Sequence, residues 1–274
     1  MSYAFLPAMR YRMPTHFGPM PGPRQGPAGE HYACRDDPRQ HIVHAAFAAP
    51  ADRLAAFMPP GFRVARGELH ATFCYMSEIA WLAGRGYNTF GVTIPAVYAG
   101  ADGPVAGDLM LVLWENMADP IISGREELGF SKLYCDLPPP METPGRLLCR
   151  ASWDGCGFAA LRLEGLGAGA PAAAPAEPSQ GLLHYKYVPR TGAPGIADAE
   201  YAVLTPATGG HLRIEHTQAA ASATLDWRRS SWEELPTLYH IVEALADVPL
   251  GPCLAASASV TRGAKDLSDQ SILS

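Results

Sequence analysis

One lysine stands in an apolar neighbourhood that suits covalent chemistry. The chain has only three lysines, at positions 132, 186 and 265, and its other permanently cationic side chains are arginines. Lys132 lies between Phe130 and Tyr134. A lysine amine attacks a ketone only when it is neutral, and a free lysine, with a pKa near about 10.4, is less than about 0.1% neutral at pH 7. Burial among apolar side chains lowers this pKa, so Lys132 is a candidate Schiff-base nucleophile, with a solvated loop lysine as the alternative.

Residues 108–137 carry this lysine together with a second reactive candidate, Glu115. The apolar run at 109–114 predicts a buried strand that ends at the glutamate. An Asp-Pro pair at 119–120 then interrupts the chain, and a charged segment leads to Lys132. A carboxylate at the end of a buried strand could move protons, although a surface ion pair is the alternative.

Short strands dominate the elements that must position these groups. Further strands are predicted at 41–48, 69–76, 91–98, 146–153, 158–164, 182–188, 212–227 and 254–261. Helices are predicted at 51–58 and 236–246. Many short strands with few helices and no regular βαβ alternation indicate a β-rich, antiparallel α+β fold.

The chain is predicted to contain one domain, at residues 30–262, between two different ends. Residues 1–29 are rich in proline, glycine and methionine, so they form either a disordered tail or an arm packed on the body or on a neighbouring subunit. Residues 263–274 are polar and are expected to fray. The Ala/Gly/Pro/Ser loop at 165–180 does not divide the domain, because strands are predicted on both sides.

Composition excludes several classes of partner and site. Charged residues make up 18% of the chain, the net charge is −6, and no basic stripe would bind nucleic acid. Six cysteines without a CxxC pair or a secretory signal indicate reduced thiols and a cytoplasmic protein. No apolar run approaches the roughly 20 residues of a membrane helix. The pairs His41/His44 and His211/His216 have no acidic residue or cysteine at the spacing of a third metal ligand, so no metal is expected.

Residues 124–134, GREELGFSKLY, resemble the signature segment of the acetoacetate decarboxylase superfamily: Gly-Arg-Glu, then an aromatic residue, proline and lysine. The resemblance continues at 73–98, which includes Tyr87, and at 52–59. It implies a closed or partly closed, cone-like β-barrel that encloses the site, and homo-oligomers. It also implies that Lys132 forms a Schiff base with a ketone, so that no separate cofactor is needed.

The chain departs from the decarboxylase pattern at several positions. Ser131 stands where proline is usual, and Leu133 stands where the decarboxylases have a second lysine. Cys74 and Thr89 occupy the positions of two glutamates that help to orient the substrate. Desolvation must therefore do most of the work of lowering the pKa of Lys132.

The Trp-Glu-Asn sequence around Glu115 is instead similar to members of the superfamily that are aldolase-dehydratases. This similarity implies that Glu115 is the general acid and base and that Tyr87 donates a hydroxyl hydrogen. The substrate is expected to contact Trp114, Phe130 and an arginine, either Arg39 or Arg24.

The sequence therefore predicts a Schiff-base lyase that acts on a small, pyruvate-like oxo acid. The expected reaction is aldol condensation with an aldehyde, followed by dehydration. One alternative is decarboxylation of a β-keto acid such as acetoacetate, and another is a non-catalytic barrel that binds a small ligand. Arg125 and Glu126 are expected to form a structural ion pair that orients the lysine segment, and Lys186 is expected on the solvent face of its strand.

Overall fold

The computed structural model describes residues 4–168 and 179–274, and strands are the most abundant regular element in them. The strands are β1 (Arg39–Ala48), β2 (Phe62–Val64), β3 (Glu68–Ser77), β4 (Asn88–Gly100), β5 (Gly103–Glu115), β6 (Lys132–Tyr134), β7 (Met141–Thr143), β8 (Arg146–Trp153), β9 (Cys156–Glu164), β10 (Gly181–Pro189), β11 (Ala197–Pro206), β12 (Arg213–Ala219), β13 (Ser222–Trp227), β14 (Cys253–Arg262) and β15 (Ser271–Leu273). The α-helices are α1 (Ala51–Ala55), α2 (Ala118–Ser123) and α3 (Tyr239–Ala246). A π-helical turn, Gly124–Leu128, continues α2.

The larger sheet has the strand order β12-β14-β1-β3-β4-β5-β10-β11-β15, with β2 also on β4 and β6 also on β5. Its pairs are antiparallel, except that β10 and β6 both run parallel to β5. The predicted β-rich α+β class is confirmed. The strand path ends at β12 and β15, and no pairing joins these ends in the described part of the chain, so a closed barrel is not confirmed.

The main core lies between this sheet and a smaller one, ordered β13-β9-β8-β7. Phe73 and Phe90 come from the larger sheet, and Phe158 comes from the smaller one. Helix α3 adds Val242 and Leu245 to the same cluster. The alternating apolar positions of both sheets thus meet in one interior, which leaves the ends and edges of the strands for chemistry.

Trp114 belongs to this core rather than to a substrate site, which corrects the sequence expectation. Its side chain has no exposed surface. The centroid of its indole ring lies 5.2 Å from the ring centroids of Phe90 and Phe158. Since neighbouring residues of a strand point to opposite faces of the sheet, Trp114 and Glu115 project from opposite sides of β5.

Trp114→Ala should lower the free energy of unfolding by about 3–5 kcal/mol, because truncation leaves a large cavity between the sheets. Urea unfolding followed by circular dichroism measures this loss. The matched control is Trp232→Ala, since Trp232 is 60% exposed, and it should cost less than about 1 kcal/mol. Equal losses in the two variants would contradict the placement of Trp114 in the core.

Described segments near both termini contact the body. Arg12 and Arg24, from the N-terminal arm, form ion pairs with Glu127. At the other end, β15 pairs with β11, so the expectation of a frayed tail is wrong for Ser271–Leu273: the edge of β11 offers backbone partners. The predicted loop at 165–180 lies largely outside the described residues.

Three further observations bear on the sequence expectations. No helix in the described ranges is long and apolar enough to cross a membrane. All six cysteines carry free thiols. The predicted strand at 212–227 is two strands, β12 and β13, which belong to different sheets.

Candidate active site

Strand β6 places Lys132 beside the end of β5. The two strands are parallel, with Leu113 opposite Lys132 and Glu115 opposite Tyr134. The lysine side chain crosses the start of the π turn at Gly124, where an added Cβ would lie 2.6 Å from Nζ. The first glycine of the signature therefore has no side chain because the lysine side chain occupies the space where its Cβ would lie.

The amine of Lys132 is buried, with only 7% of the residue exposed. Its Nζ lies 2.9 Å from Oε1 of Glu115 and donates a 2.9 Å hydrogen bond to the Pro120 carbonyl. It also lies 5.1 Å from the centroid of the Phe130 ring. Of the predicted site residues, the structure thus brings Lys132, Glu115 and Phe130 together.

Burial drives the two ionisable groups of this pair toward their neutral forms. Desolvation lowers the pKa of Lys132; the Glu115 carboxylate opposes this shift, and Arg24 adds to it. Desolvation also raises the pKa of Glu115, against the opposing effect of Lys132. Oε2 of Glu115 is buried without a hydrogen-bond partner among the described residues, which leaves one oxygen for a substrate or a water molecule.

The residues that lie beside Glu115 on the two neighbouring strands, β4 and β3, are not acidic. Thr89 of β4 pairs with Glu115, and Cys74 of β3 pairs with Thr89. These are the positions that resemble those of the decarboxylase glutamates. Tyr87 lies just before β4, and burial, followed by the charges of Glu115 and Cys74, raises the pKa of its hydroxyl. Tyr87 therefore stays protonated and can donate a hydrogen bond.

The structure distinguishes the two candidate arginines. Arg24 is 2% exposed, and its Nε donates to Glu127 while its Nη2 donates to the Ser123 carbonyl. Its charge contributes to the lowered pKa of Lys132, and its bond to Ser123 holds the guanidinium next to Gly124, which the lysine side chain crosses. Arg39 begins β1, and its half-exposed side chain lies 3.8 Å from Glu215. The arm therefore brings Arg24 to the site, whereas Arg39 belongs to the surface.

The signature arginine positions the lysine strand through its backbone. Nη1 of Arg125 donates a 2.7 Å hydrogen bond to the carbonyl of Lys132. The expected orienting role is thus supported by a contact with a carbonyl oxygen. An ion pair between Arg125 and Glu126 is not found in the described ranges.

Lys186 is buried, so the expectation that it faces solvent is wrong. It is 8% exposed, and its Nζ donates to the Glu126 carbonyl at 2.7 Å. The π turn covers this face of β10, and its last carbonyls attract a cation. Gly129 ends the turn with φ +84°, and an added Cβ would lie 2.7 Å from Cβ of Lys186. Glycine is needed there for both reasons.

Sequence reasoning missed His184, which lies beside the site with no exposed surface. Its Nε2 lies 2.9 Å from Oγ1 of Thr205, and its ring centroid lies 4.0 Å from that of Phe130. Burial, assisted by the charge of Lys132, lowers the pKa of His184 to about 3. The sequence feature that could have indicated His184 is its His-x-Lys spacing, which places His184 and Lys186 on one face of β10.

His184→Gln should make the protein more resistant to acid. The pKa of the histidine falls from 6.5 to about 3 on folding, so its stabilising contribution is complete above pH 6.5 and is lost as the pH falls toward 3. At pH 5 this loss amounts to about 2 kcal/mol, and glutamine does not titrate. Urea unfolding at pH 7.5 and pH 5 measures the difference. His31→Gln, at an exposed position, should leave the pH dependence unchanged; parallel pH profiles for wild type and His184→Gln would contradict the prediction.

A cavity of about 600 Å³ opens next to the lysine segment, between β10 and α3. Phe130, Ser131 and Leu133 contribute to its wall, whereas Lys132 and Glu115 do not. The alternation of β6 explains this, because Leu133 and Lys132 point to opposite faces. In the described ranges, no cluster of three or more histidine, cysteine or acidic residues could hold a metal ion.

Comparisons with known proteins identify the family and the fold. The family model described as acetoacetate decarboxylase matches residues 12–261. Among solved structures, one from studies of acetoacetate decarboxylase has a TM-score of 0.65 at 13% identity and covers 91% of this chain and 94% of its own. Acetoacetate decarboxylase from Legionella pneumophila has a TM-score of 0.59 at 14% identity and covers 90% and 92%.

A third solved structure is the enduracididine biosynthesis enzyme MppR, complexed with the condensation product of pyruvate and imidazole 4-carboxaldehyde. Its TM-score is 0.60 at 17% identity, with 91% of this chain and 94% of that chain covered. At these identities the structural likeness establishes the fold. No curated protein matches the chain significantly. Because the family model spans nearly the whole sequence, the chain belongs to the acetoacetate decarboxylase family.

Proposed function

We propose that the chain is a Schiff-base lyase that joins a small, pyruvate-like oxo acid to an aldehyde with loss of water. The observation that carries this proposal is the buried contact of 2.9 Å between Nζ of Lys132 and Oε1 of Glu115. Burial favours the neutral amine that attacks a carbonyl, and it favours the protonated carboxyl that can assist the attack.

The pair can run the first half of the reaction by exchanging one proton. The amine of Lys132 adds to the ketone carbon, and Glu115 protonates the departing hydroxyl, so that water leaves and an iminium forms. Glu115 is then a carboxylate beside the iminium. It removes a proton from the adjacent carbon, and the electron pair of that C–H bond moves into an enamine. The iminium is the electron sink, so this chemistry needs no separate cofactor.

The second half forms the carbon–carbon bond. The enamine carbon attacks the aldehyde carbon, and the aldehyde oxygen receives the proton from Glu115. Loss of this hydroxyl as water, together with a proton from the neighbouring carbon, gives a conjugated iminium. Hydrolysis then releases the product and restores Lys132. Tyr87, which remains protonated, is the proposed hydrogen-bond donor to the aldehyde oxygen.

Arg24 is the proposed partner of the substrate carboxylate. Its ion pair with Glu127 and its bond to Ser123 use Nε and Nη2, and Nη1 makes no hydrogen bond within the part of the chain that the structure describes. A guanidinium that is held in place in this way can receive a carboxylate with little loss of entropy.

Two observations favour condensation over decarboxylation of a β-keto acid. The row that carries Glu115 continues into Thr89 and Cys74, where the resemblance places the glutamates of the decarboxylases. MppR, a relative by fold, is described in complexes with pyruvate and with a pyruvate–aldehyde condensation product.

Borohydride trapping tests the proposal. The protein is incubated with pyruvate and reduced, and its intact mass and peptide map are measured; an adduct on Lys132 is expected. Pyruvate with imidazole 4-carboxaldehyde should also give a new ultraviolet absorber, whereas acetoacetate should release no CO2. Release of CO2 without the absorber would favour decarboxylation. The absence of an adduct with any oxo acid would favour a ligand-binding protein.

A further inference from the structure

His184 is a buried ionisable group that the proposed reaction does not use. It shares one face of β10 with Lys186, and Nζ of Lys186 bonds to the Glu126 carbonyl. Its ring also packs on Phe130, which lies beside the amine of Lys132. His184 therefore faces the segment that carries the nucleophile.

The hydrogen bonds of its neighbours indicate which ring nitrogen carries the proton. Oγ1 of Thr205 lies 2.9 Å from Nε2 of His184 and accepts a hydrogen bond from Nε2 of Gln270. Because Gln270 is the donor in that contact, the hydroxyl hydrogen of Thr205 can be donated to His184. Nε2 is then an acceptor, and the neutral ring carries its hydrogen on Nδ1.

Nδ1 is the unsatisfied end of this chain of hydrogen bonds. It is buried and has no hydrogen-bond partner among the described residues, and His184 has no exposed surface. A buried donor without a partner is costly, and native proteins usually supply one, including water or a ligand. The Thr205 contact orients the ring, and Phe130 fixes the plane against which it packs.

We propose that Nδ1–H of His184 donates a hydrogen bond to an oxygen of the oxo acid held at Lys132. This inference rests on the proposed function and adds a substrate-binding residue to it. Burial lowers the pKa of His184 to about 3, so the ring stays neutral at working pH. A neutral imidazole supplies a donor while Arg24 remains the cation for the carboxylate.

Two amide variants separate this role from simple packing. The amide of His184→Asn lies near the position of Nδ1, whereas the amide of His184→Gln reaches toward Thr205 and leaves the Nδ1 position empty. The measurement is the pyruvate concentration that gives half-maximal borohydride trapping at Lys132. We expect this concentration to rise at least about tenfold in His184→Gln, as for loss of a hydrogen bond to a charged group. It should stay within about threefold of wild type in His184→Asn. If His184 served only to support Thr205 and Phe130, glutamine would match or exceed asparagine, and the inference would be overturned.

Nitrogen NMR of the wild-type protein distinguishes failure of this inference from failure of the proposed function. The Nδ1 resonance of His184 is followed during additions of pyruvate and of oxamate, an analogue that does not form an iminium. A protonated Nδ1 that shifts with both ligands is expected. A shift with oxamate, without a pyruvate adduct, would support the histidine contact and reject the Schiff base. An adduct that leaves Nδ1 unmoved would reject the histidine contact, and the absence of both signals would reject both proposals.

Discussion

Replacing Lys132 with methionine should abolish the borohydride-trapped adduct and lower turnover by about 10⁴- to 10⁶-fold, the scale of losing a nucleophile. Methionine keeps the length and apolar character of the side chain but has no amine to attack the ketone. Burial raises the pKa of Glu115, and removal of the Lys132 charge, which opposes that shift, raises it further; this favours the neutral carboxyl beside the apolar methionine, so the variant should fold. Intact mass after reduction, together with the rate of appearance of the conjugated product, measures the effect.

Lys186→Met is the matched control, because Lys186 is also buried and also donates to a backbone carbonyl. It should remain trappable at Lys132, although loss of its bond to the π turn should lower stability. An adduct of undiminished yield in Lys132→Met, or one that disappears only in Lys186→Met, would show that the nucleophile has been assigned to the wrong lysine.

Glu115→Gln should slow turnover by about 10²- to 10⁴-fold, as expected for loss of a general acid and base. Glutamine fills the same space but can neither remove the proton from the carbon next to the iminium nor deliver it to the aldehyde oxygen. The same substitution should also change the pKa of Lys132, and this change favours the reactive neutral amine. The Glu115 carboxylate raises the pKa of the lysine, so its removal should lower that pKa further. The pH at which trapping reaches half its maximum should therefore move to lower values.

Product formation and trapping across pH 5–10 separate the two effects of Glu115→Gln. Asp108→Asn is the control, because Asp108 lies on the same strand but contacts His70 at 3.8 Å. It should change neither the rate nor the pH of half-maximal trapping. Unimpaired turnover in Glu115→Gln would assign proton transfer to another group, and a shift of the trapping profile to higher pH would contradict the charge pairing.

The nucleophile is tuned here by an arrangement that differs from the one the decarboxylase resemblance implies. Leu133 occupies the position of the second lysine of the decarboxylases, so the residue directly after Lys132 carries no charge. Desolvation is the largest influence on the pKa of Lys132, and Arg24 contributes a charge from the N-terminal arm. Glu127 holds this arginine by an ion pair. The arm is therefore part of the site's electrostatics.

Much of the fold and part of the site follow from local patterns in the sequence. Residue patterns along single strands predicted β1, β3, β4, β8, β9, β10 and β14 to within three residues of their observed bounds, because the side-chain period of a strand is set by its own backbone. The apolar run at 109–114 predicted only the second half of β5. The signature segment led to Lys132, and the apolar run before it led to Glu115. Both residues are close in sequence and lie on strands that pair directly.

The remaining features depend on contacts between segments that are distant in sequence. Trp114 and Glu115 are neighbours in the chain, and only the packing of the second sheet shows that one faces the core. Lys186 was expected to face solvent, but the π turn covers its strand. Arg24 lies at the segment that precedes Lys132 because the arm folds back and pairs with Glu127. A one-dimensional pattern records the period of each element, whereas burial, and hence the protonation of Lys132, Glu115 and His184, depends on what the assembled sheets place around them.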